Sequence, residues 1–195
     1  MITPTTNILL VGVGGQGIIL ASEIIAETAL RSGLDAKKSE VHGMSQRGGV
    51  VSSHVRFGPV VHSPLIEEGR ADVILSFEIL ESLRWLNFLA PAGAVLANTQ
   101  KIVPPIAAAG LTTYLDDPAA ELTARVPGAV LVPADAIARE LGNTRLVNSV
   151  MLGVLSTMTP LAEDAWRAVV AEFVPAKARD ANLAAFERGQ ALRAP

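Results

Sequence analysis

Two loops of the sequence combine glycines with polar side chains in a way that suits the binding of a charged ligand. The first reads Gly-Val-Gly-Gly-Gln-Gly and lies between a short apolar run and an amphipathic stretch. Its glycines permit a tight turn and a close approach of the backbone, and the amides at the start of a helix attract phosphate. A structural turn without a ligand is the alternative. The predicted contacts are Gly12, Gly14, Gly15, Gln16 and Gly17.

The second loop, residues 40–49, places an imidazole and a guanidinium between glycines. The fork of Arg47 suits a phosphate or a carboxylate, with Ser45 and Gln46 beside it. An ion pair between Arg47 and Glu40 is the structural alternative. For His42, a structural hydrogen bond and a chemical role both stay open.

Glu40 supports a different interpretation. It ends the second predicted strand, where a dinucleotide-binding fold keeps an acid that accepts from the ribose hydroxyls. On spacing alone this favours NAD or FAD. An ordinary acidic residue at a strand end is equally consistent with the pattern.

Other chemistry finds little support. There is no Gly-x-Ser-x-Gly elbow and no pair of carboxylates that stands out as a general acid and base. His54 and His62 lack acidic partners at metal-ligand spacing, so no metal is assigned. Asn148 opens an apolar helix, where it either caps hydrogen bonds or reaches the ligand. The sequence therefore predicts a chain that holds a cofactor and has no catalytic residue of its own.

The elements that position these loops alternate between strands and helices. Such alternation predicts an α/β, Rossmann-like fold with a mostly parallel sheet, helices on both faces and a helical C-terminal part. Ligands of such sheets bind at the carboxyl ends of the strands. The predicted strands are residues 7–11, 35–41, 50–57, 60–62, 71–77, 94–98, 111–115 and 130–132. The predicted helices are residues 16–32, 78–89, 145–158, 163–173 and 175–192, with one more between the last two strands and a surface connection at 102–110.

Composition limits the class of protein. The 195 residues are 50% hydrophobic, which is enough for one domain spanning 1–195. No apolar run is long enough for a membrane span and no signal peptide is visible, so we expect a cytoplasmic protein. The 16 basic and 19 acidic side chains give a net charge of −3, which does not suggest nucleic acid as a partner.

Three segments together resemble a known family. They are GVGGQGIILAS at 12–22, SEVHGMSQRGGVVSSHVRFG at 39–58 and VNSVMLG at 147–153. They resemble the gamma-type subunit of the 2-oxoacid:ferredoxin oxidoreductases, and the second segment looks like the branch that acts on indolepyruvate and other arylpyruvates. The resemblance extends over most of the chain.

The resemblance implies an accessory subunit of a heteromeric, thiamine-diphosphate-dependent enzyme that oxidatively decarboxylates a 2-oxoacid, reduces ferredoxin and forms acyl-CoA. Thiamine diphosphate and the iron–sulfur clusters would belong to a larger partner subunit, which agrees with the absence of cysteine from this chain. The glycine turn would contact the phosphates of coenzyme A, and Arg47 would face the same ligand or the partner. A free-standing NAD- or FAD-binding oxidoreductase and an assembly module without a ligand are the alternatives.

Overall fold

The computed structural model describes residues 5–42, 49–103 and 114–192. The strands in these residues are β1 (Thr6–Val13), β2 (Asp35–His42), β3 (Val50–Gly58), β4 (Ala71–Ser76), β5 (Leu89–Asn98) and β6 (Val130–Val132). The α-helices are α1 (Ile18–Arg31), α2 (Ile79–Arg84), α3 (Pro118–Arg125), α4 (Ala134–Glu140), α5 (Val147–Ser156), α6 (Glu163–Phe173) and α7 (Arg179–Gln190).

The strands form one sheet in the order β2-β3-β1-β4-β5-β6. The pairs β1–β4, β4–β5 and β5–β6 are parallel. β3 is antiparallel to both β1 and β2, so β2 runs in the same direction as β1. The predicted mostly parallel sheet is confirmed, and the insertion of β3 between β1 and β2 is an addition to it.

Helices cover both faces of the sheet, as predicted. Side chains alternate along β1, so Ile8 and Leu10 face one core while Leu9 and Val11 face the other. The first core contains residues of α1 and of α4 to α7, and the second contains residues of α2 and α3. Because β1 is buried on both faces, its carboxyl end is held rigidly where the glycine turn begins.

The strand predicted at 60–62 is wrong. This segment is irregular, and two side chains from the sheet hydrogen-bond to the backbone of residues 61 and 63. Asp35 accepts from the Val61 amide at 2.8 Å, and Arg56 donates to the Ser63 carbonyl at 2.8 Å. These side chains replace the ladder that a further strand would have needed.

The helix predicted at 78–89 is too long. It ends at Arg84, a 3₁₀ turn follows at Leu86–Phe88, and β5 already begins at Leu89. Pro91 and Gly93, predicted to precede β5, lie within it at a shift of register against β4. A Cβ at Gly93 would lie 2.7 Å from the Ala71 carbonyl oxygen, so the glycine permits a close approach of two strands.

The remaining predictions have mixed outcomes. The strand at 130–132 and the helix at 163–173 are confirmed. The helices at 145–158 and 175–192 each begin with a 3₁₀ turn before α5 and α7. Helix α4 was missed. The strand at 111–115 and the connection at 102–110 lie mostly outside the described residues, and residues 114–115 are not in a strand. No helix of the described residues is long and apolar enough to cross a membrane.

Candidate functional site

The glycine turn lies between the carboxyl end of β1 and the start of α1. The Gly14 amide donates to the Gly49 carbonyl at 3.0 Å, which ties the turn to the residue before β3. Gly15 and Gly17 have φ of +97° and +74°, a region that favours glycine. Both are exposed. The turn therefore presents its backbone at the end of the sheet where ligands of such folds bind.

Gln16 holds this turn in place. Its Oε1 accepts from the Val13 amide at 2.7 Å, and its Nε2 donates to the Phe77 carbonyl at 2.8 Å and to Gln100 Oε1 at 2.9 Å. Both amide hydrogens of Gln16 are thus used inside the protein. Gln16 was predicted as a cofactor contact, and the structure gives its side chain a positioning role in the turn.

Gly12 lies within β1 and is buried. A Cβ there would lie 2.6 Å from Gln16 Oε1 and 3.1 Å from Phe77 Cβ. This glycine provides the space in which the Gln16 side chain folds back. Its role as a direct phosphate contact stays a prediction.

Asn148 joins the C-terminal helices to the glycine turn. It lies in the first turn of α5, and its Nδ2 donates to the Gly17 carbonyl at 2.8 Å. A Cβ on Gly17 would overlap this amide nitrogen. Two of the segments singled out in the sequence are therefore in direct contact.

A cavity of about 610 Å³ opens beside the turn. The N-termini of two helices contribute to it, since α1 starts directly after Gly17 and α5 starts one residue before Asn148. Within the described part of the chain, no side chain caps either helix and neither has an acidic residue in its first turn. The amides at the start of α1 and the dipole of this helix favour an anion. Helix α5 continues a 3₁₀ turn that Asn143 caps, since the Asn143 side chain accepts from the Arg145 amide at 3.0 Å. The lining residues are Gly14, Gly15, Gln16, Gly17, Leu20, Gln100, Ile102, Asp135, Thr144, Arg145, Val147 and Asn148.

Arg145 was not predicted, and it is the cation among these lining residues. Its side chain is exposed, and it makes no ion pair within residues 5–42, 49–103 and 114–192. A guanidinium in this position can donate to phosphate oxygens. The signal in the sequence was its place two residues before the VNSVMLG segment.

Asp135, in the first turn of α4, is the carboxylate of the cavity. Its Oδ2 accepts from Asn98 Nδ2 at 2.8 Å, and Asn98 also donates to the Phe77 carbonyl at 3.1 Å. The carboxyl ends of β4 and β5 are thereby joined to α4. Asp135 was also missed, because helix α4 itself was not predicted.

Glu40 does not line the cavity. It lies on β2, and β3 separates β2 from β1, which corresponds to about 10 Å across two strand spacings. Its carboxylate pairs with Lys38 Nζ at 2.8 Å. This placement does not favour the dinucleotide alternative, which needs the acid beside the glycine turn.

The remaining predicted contacts, Ser45, Gln46 and Arg47, lie outside the described residues, as does the side chain of His42. His62 is exposed and does not line the cavity. In the described part of the chain, no group of three His, Asp or Glu side chains could hold a metal ion. The cavity combines the backbone of the glycine turn with the guanidinium of Arg145 and the carboxylate of Asp135.

His54 has a structural role on β3. It is 5% exposed, its Nδ1 accepts from the Ile66 amide at 3.1 Å, and its ring meets the edge of Phe88. Burial lowers the pKa of His54 below its ordinary value. The folded protein thus keeps this imidazole neutral where the unfolded chain would protonate it.

We expect His54 to make the protein less stable in mild acid. The unfolded chain binds a proton below about pH 6.5 and the folded chain does not, so the free energy of unfolding falls there by up to about 1.4 kcal/mol per pH unit. His54→Asn keeps an acceptor for Ile66 and should flatten this slope between pH 7 and 5 in urea titrations. His62→Asn is the exposed control. An unchanged slope in His54→Asn would show that another group is responsible.

Comparisons with known proteins agree on one family. Residues 7–192 match the family described as pyruvate ferredoxin/flavodoxin oxidoreductase. The chain is 42% identical over 188 residues to the indolepyruvate oxidoreductase subunit IorB of Thermococcus kodakarensis, covering 94% of this chain and 93% of that protein.

Two solved structures share the fold. The gamma subunit of a keto/oxoacid ferredoxin oxidoreductase from Geobacter sulfurreducens has a TM-score of 0.71 at 23% identity, covering 96% of this chain and 97% of that one. The 2-oxoglutarate:ferredoxin oxidoreductase of Magnetococcus marinus, with 2-oxoglutarate, coenzyme A and succinyl-CoA bound, has a TM-score of 0.74 at 22% identity. That match covers 97% of this chain and 31% of that chain.

Proposed function

Because the chain belongs to the pyruvate ferredoxin/flavodoxin oxidoreductase family, we propose that it is the accessory subunit of an indolepyruvate (arylpyruvate):ferredoxin oxidoreductase. The reaction takes a 2-oxoacid, coenzyme A and two oxidised ferredoxins to acyl-CoA, carbon dioxide, a proton and two reduced ferredoxins. The 42% identity to an indolepyruvate oxidoreductase subunit over nearly the whole chain supports this choice of branch.

The chain's own part in this reaction is to hold the phosphates of coenzyme A at the glycine turn. The single observation that carries this role is the cavity that Arg145 lines together with the glycine turn and the uncapped start of α1. An anion with more than one phosphate fits such a site, because the start of α1 and the guanidinium can take separate oxygens. Ser45, Gln46 and Arg47 are proposed as further contacts to the same ligand or to the partner.

The redox chemistry belongs to a larger partner subunit in this proposal. Iron–sulfur clusters are held by cysteine thiolates, and this chain has no cysteine. Thiamine diphosphate, which supplies the carbanion chemistry of decarboxylation when bound, is assigned to the same partner. Ferredoxin would then receive electrons from the partner, and this chain would contribute binding and orientation of coenzyme A.

The test is an anaerobic assay of the complex formed by coexpression with the large subunit. We expect coenzyme-A-dependent indolepyruvate oxidation to require this chain. Arg145→Ala should raise the KM for coenzyme A by about tenfold, since hydrogen bonds to charged groups contribute about 1.5–3 kcal/mol. The control is Arg139→Ala, which removes an exposed arginine of α4 that does not line the cavity. Full activity of the large subunit alone would overturn the proposal.

An assembly module without a ligand is the second candidate. It is favoured by the hydrogen bonds of Gln16 and Asn148, which use the glycine turn for internal contacts. In that case Arg145→Ala and Arg139→Ala would have the same KM for coenzyme A, while removal of the chain would still prevent assembly of the complex.

A further inference from the structure

Glu78 is a buried carboxylate that joins three stretches of chain beside the cavity. It is 1% exposed and precedes α2 at the carboxyl end of β4. Its Oε2 accepts from the Glu81 amide at 2.9 Å. Its Oε1 accepts from the Ile102 amide at 3.1 Å and from the Tyr114 hydroxyl at 2.6 Å.

Capping of α2 does not explain the use of glutamate here. Ser, Thr, Asp and Asn are the usual N-cap residues, because a short side chain reaches back to the helix amides. Asp117 caps α3 in this way, accepting from the Ala120 amide at 3.0 Å. The longer side chain of Glu78 also reaches the Ile102 amide and Tyr114.

Tyr114 is well suited to this contact. Burial, and then the hydrogen bond to Glu78, raise the pKa of the Tyr114 hydroxyl above its ordinary value. The phenol therefore keeps its proton and donates a hydrogen bond to Glu78 Oε1. Glu78 thus has a side-chain partner in addition to the two backbone amides.

The residues held by Glu78 form one wall of the cavity. Ile102 lines the cavity directly. Gln100 also lines it, and the Gln100 carbonyl accepts from the Ile79 amide at 3.0 Å, next to Glu78 in the chain. On its other side Gln100 accepts from Gln16 of the glycine turn at 2.9 Å. Residues 100–102 are thus hydrogen-bonded to Gln16 of the glycine turn on one side and to Glu78 and Ile79 on the other.

We propose that Glu78 is a positioning residue for the ligand of this cavity. It acts through the backbone of residues 100–102, whose distance from the glycine turn sets the width of the cavity, and it touches no ligand itself. This inference rests on the proposed function, because the ligand used to test it is coenzyme A.

The first test uses the assembled complex and compares Glu78→Ala, Glu78→Gln and Asp117→Ala. Glu78→Ala should raise the KM for coenzyme A by about tenfold with kcat within about twofold, the pattern of lost ground-state binding. Glu78→Gln keeps an amide oxygen for Ile102 and Tyr114 and should restore most of the affinity. Asp117→Ala also removes an N-cap on the same side of the sheet, and its KM should match that of the unmodified complex.

The second test is hydrogen exchange of the same complexes without coenzyme A. The Ile102 amide should lose protection in Glu78→Ala, keep it in Glu78→Gln, and be unaffected by Asp117→Ala. The inference is overturned if the Ile102 amide stays protected in Glu78→Ala. It is also overturned if Glu78→Ala and Asp117→Ala have the same KM for coenzyme A while Arg145→Ala raises that KM. If Arg145→Ala leaves the KM for coenzyme A unchanged, the proposed function fails. Hydrogen exchange at the Ile102 amide then decides by itself whether Glu78 positions residues 100–102.

Discussion

Gly17→Ala is expected to raise the KM for coenzyme A by about a hundredfold, which corresponds to about 2.7 kcal/mol. Two effects combine at this position. The φ of +74° is a left-handed conformation that costs an L-residue about 1–2 kcal/mol. The new Cβ would also overlap Asn148 Nδ2, so the hydrogen bond that joins α5 to the turn has to break. Steady-state kinetics of the assembled complex would measure the change.

Gly33→Ala provides the matched control. Gly33 has a φ of +79° and follows the C-terminal end of α1, and none of the described residues lies within 4 Å of its would-be Cβ. The substitution carries the same backbone strain without the contact and far from the cavity. Its KM should be unchanged. Equal KM values in the two variants would show that the turn does not hold the ligand.

A double-mutant cycle tests the physical cause. Asn148→Ala removes the group that the Gly17 Cβ would meet, so the effects of the two substitutions should not add. We expect Gly17→Ala combined with Asn148→Ala to bind coenzyme A better than the sum of the single changes predicts. Strict additivity would mean that backbone strain at Gly17 acts alone.

The glycine turn could be predicted because its pattern is local. A buried strand, a run of glycines and an amphipathic helix follow one another within residues 6–31, and the structure has them in that order. The family resemblance drawn from the segments at 12–22, 39–58 and 147–153 is likewise confirmed by the match over residues 7–192. Gln16 shows the limit of the local pattern, since its spacing did not reveal that Phe77 and Gln100 use its amide hydrogens.

Contacts between distant parts of the chain could not be predicted. Asn148 lies 131 residues from Gly17, and Arg145 reaches the same cavity only because α5 packs on the sheet beside α1. The position of β3 is a similar case, because hydrophobic alternation does not reveal strand direction. Pro91 and Gly93 misled the prediction because both residue types mark loops and strand irregularities alike.

Gly153→Ala is expected to lower the free energy of unfolding by about 2–3 kcal/mol, which is a fall in Tm of about 4–12 °C for a chain of this size. Helices α5 and α7 cross at Gly153 and Gly189. A Cβ at Gly153 would overlap the Phe186 carbonyl, and one at Gly189 would overlap the Val150 carbonyl. Backbone atoms cannot move aside as a side chain can, so the two helices would have to separate.

Helix propensity alone predicts that Gly153→Ala stabilises the protein, so the sign of the measured change distinguishes propensity from the steric effect. Alanine in place of glycine in a helix interior stabilises by about 1 kcal/mol when nothing else changes. Gly128→Ala is the control for an added methyl group without a steric contact, because Gly128 lies in a turn with an ordinary φ and no described residue lies within 4 Å of its would-be Cβ. Thermal unfolding of both variants gives the comparison. If Gly153→Ala were as stable as the unmodified chain, the helices would not be in backbone contact, and the placement of Asn148 and Arg145 at the start of α5 would lose its main support.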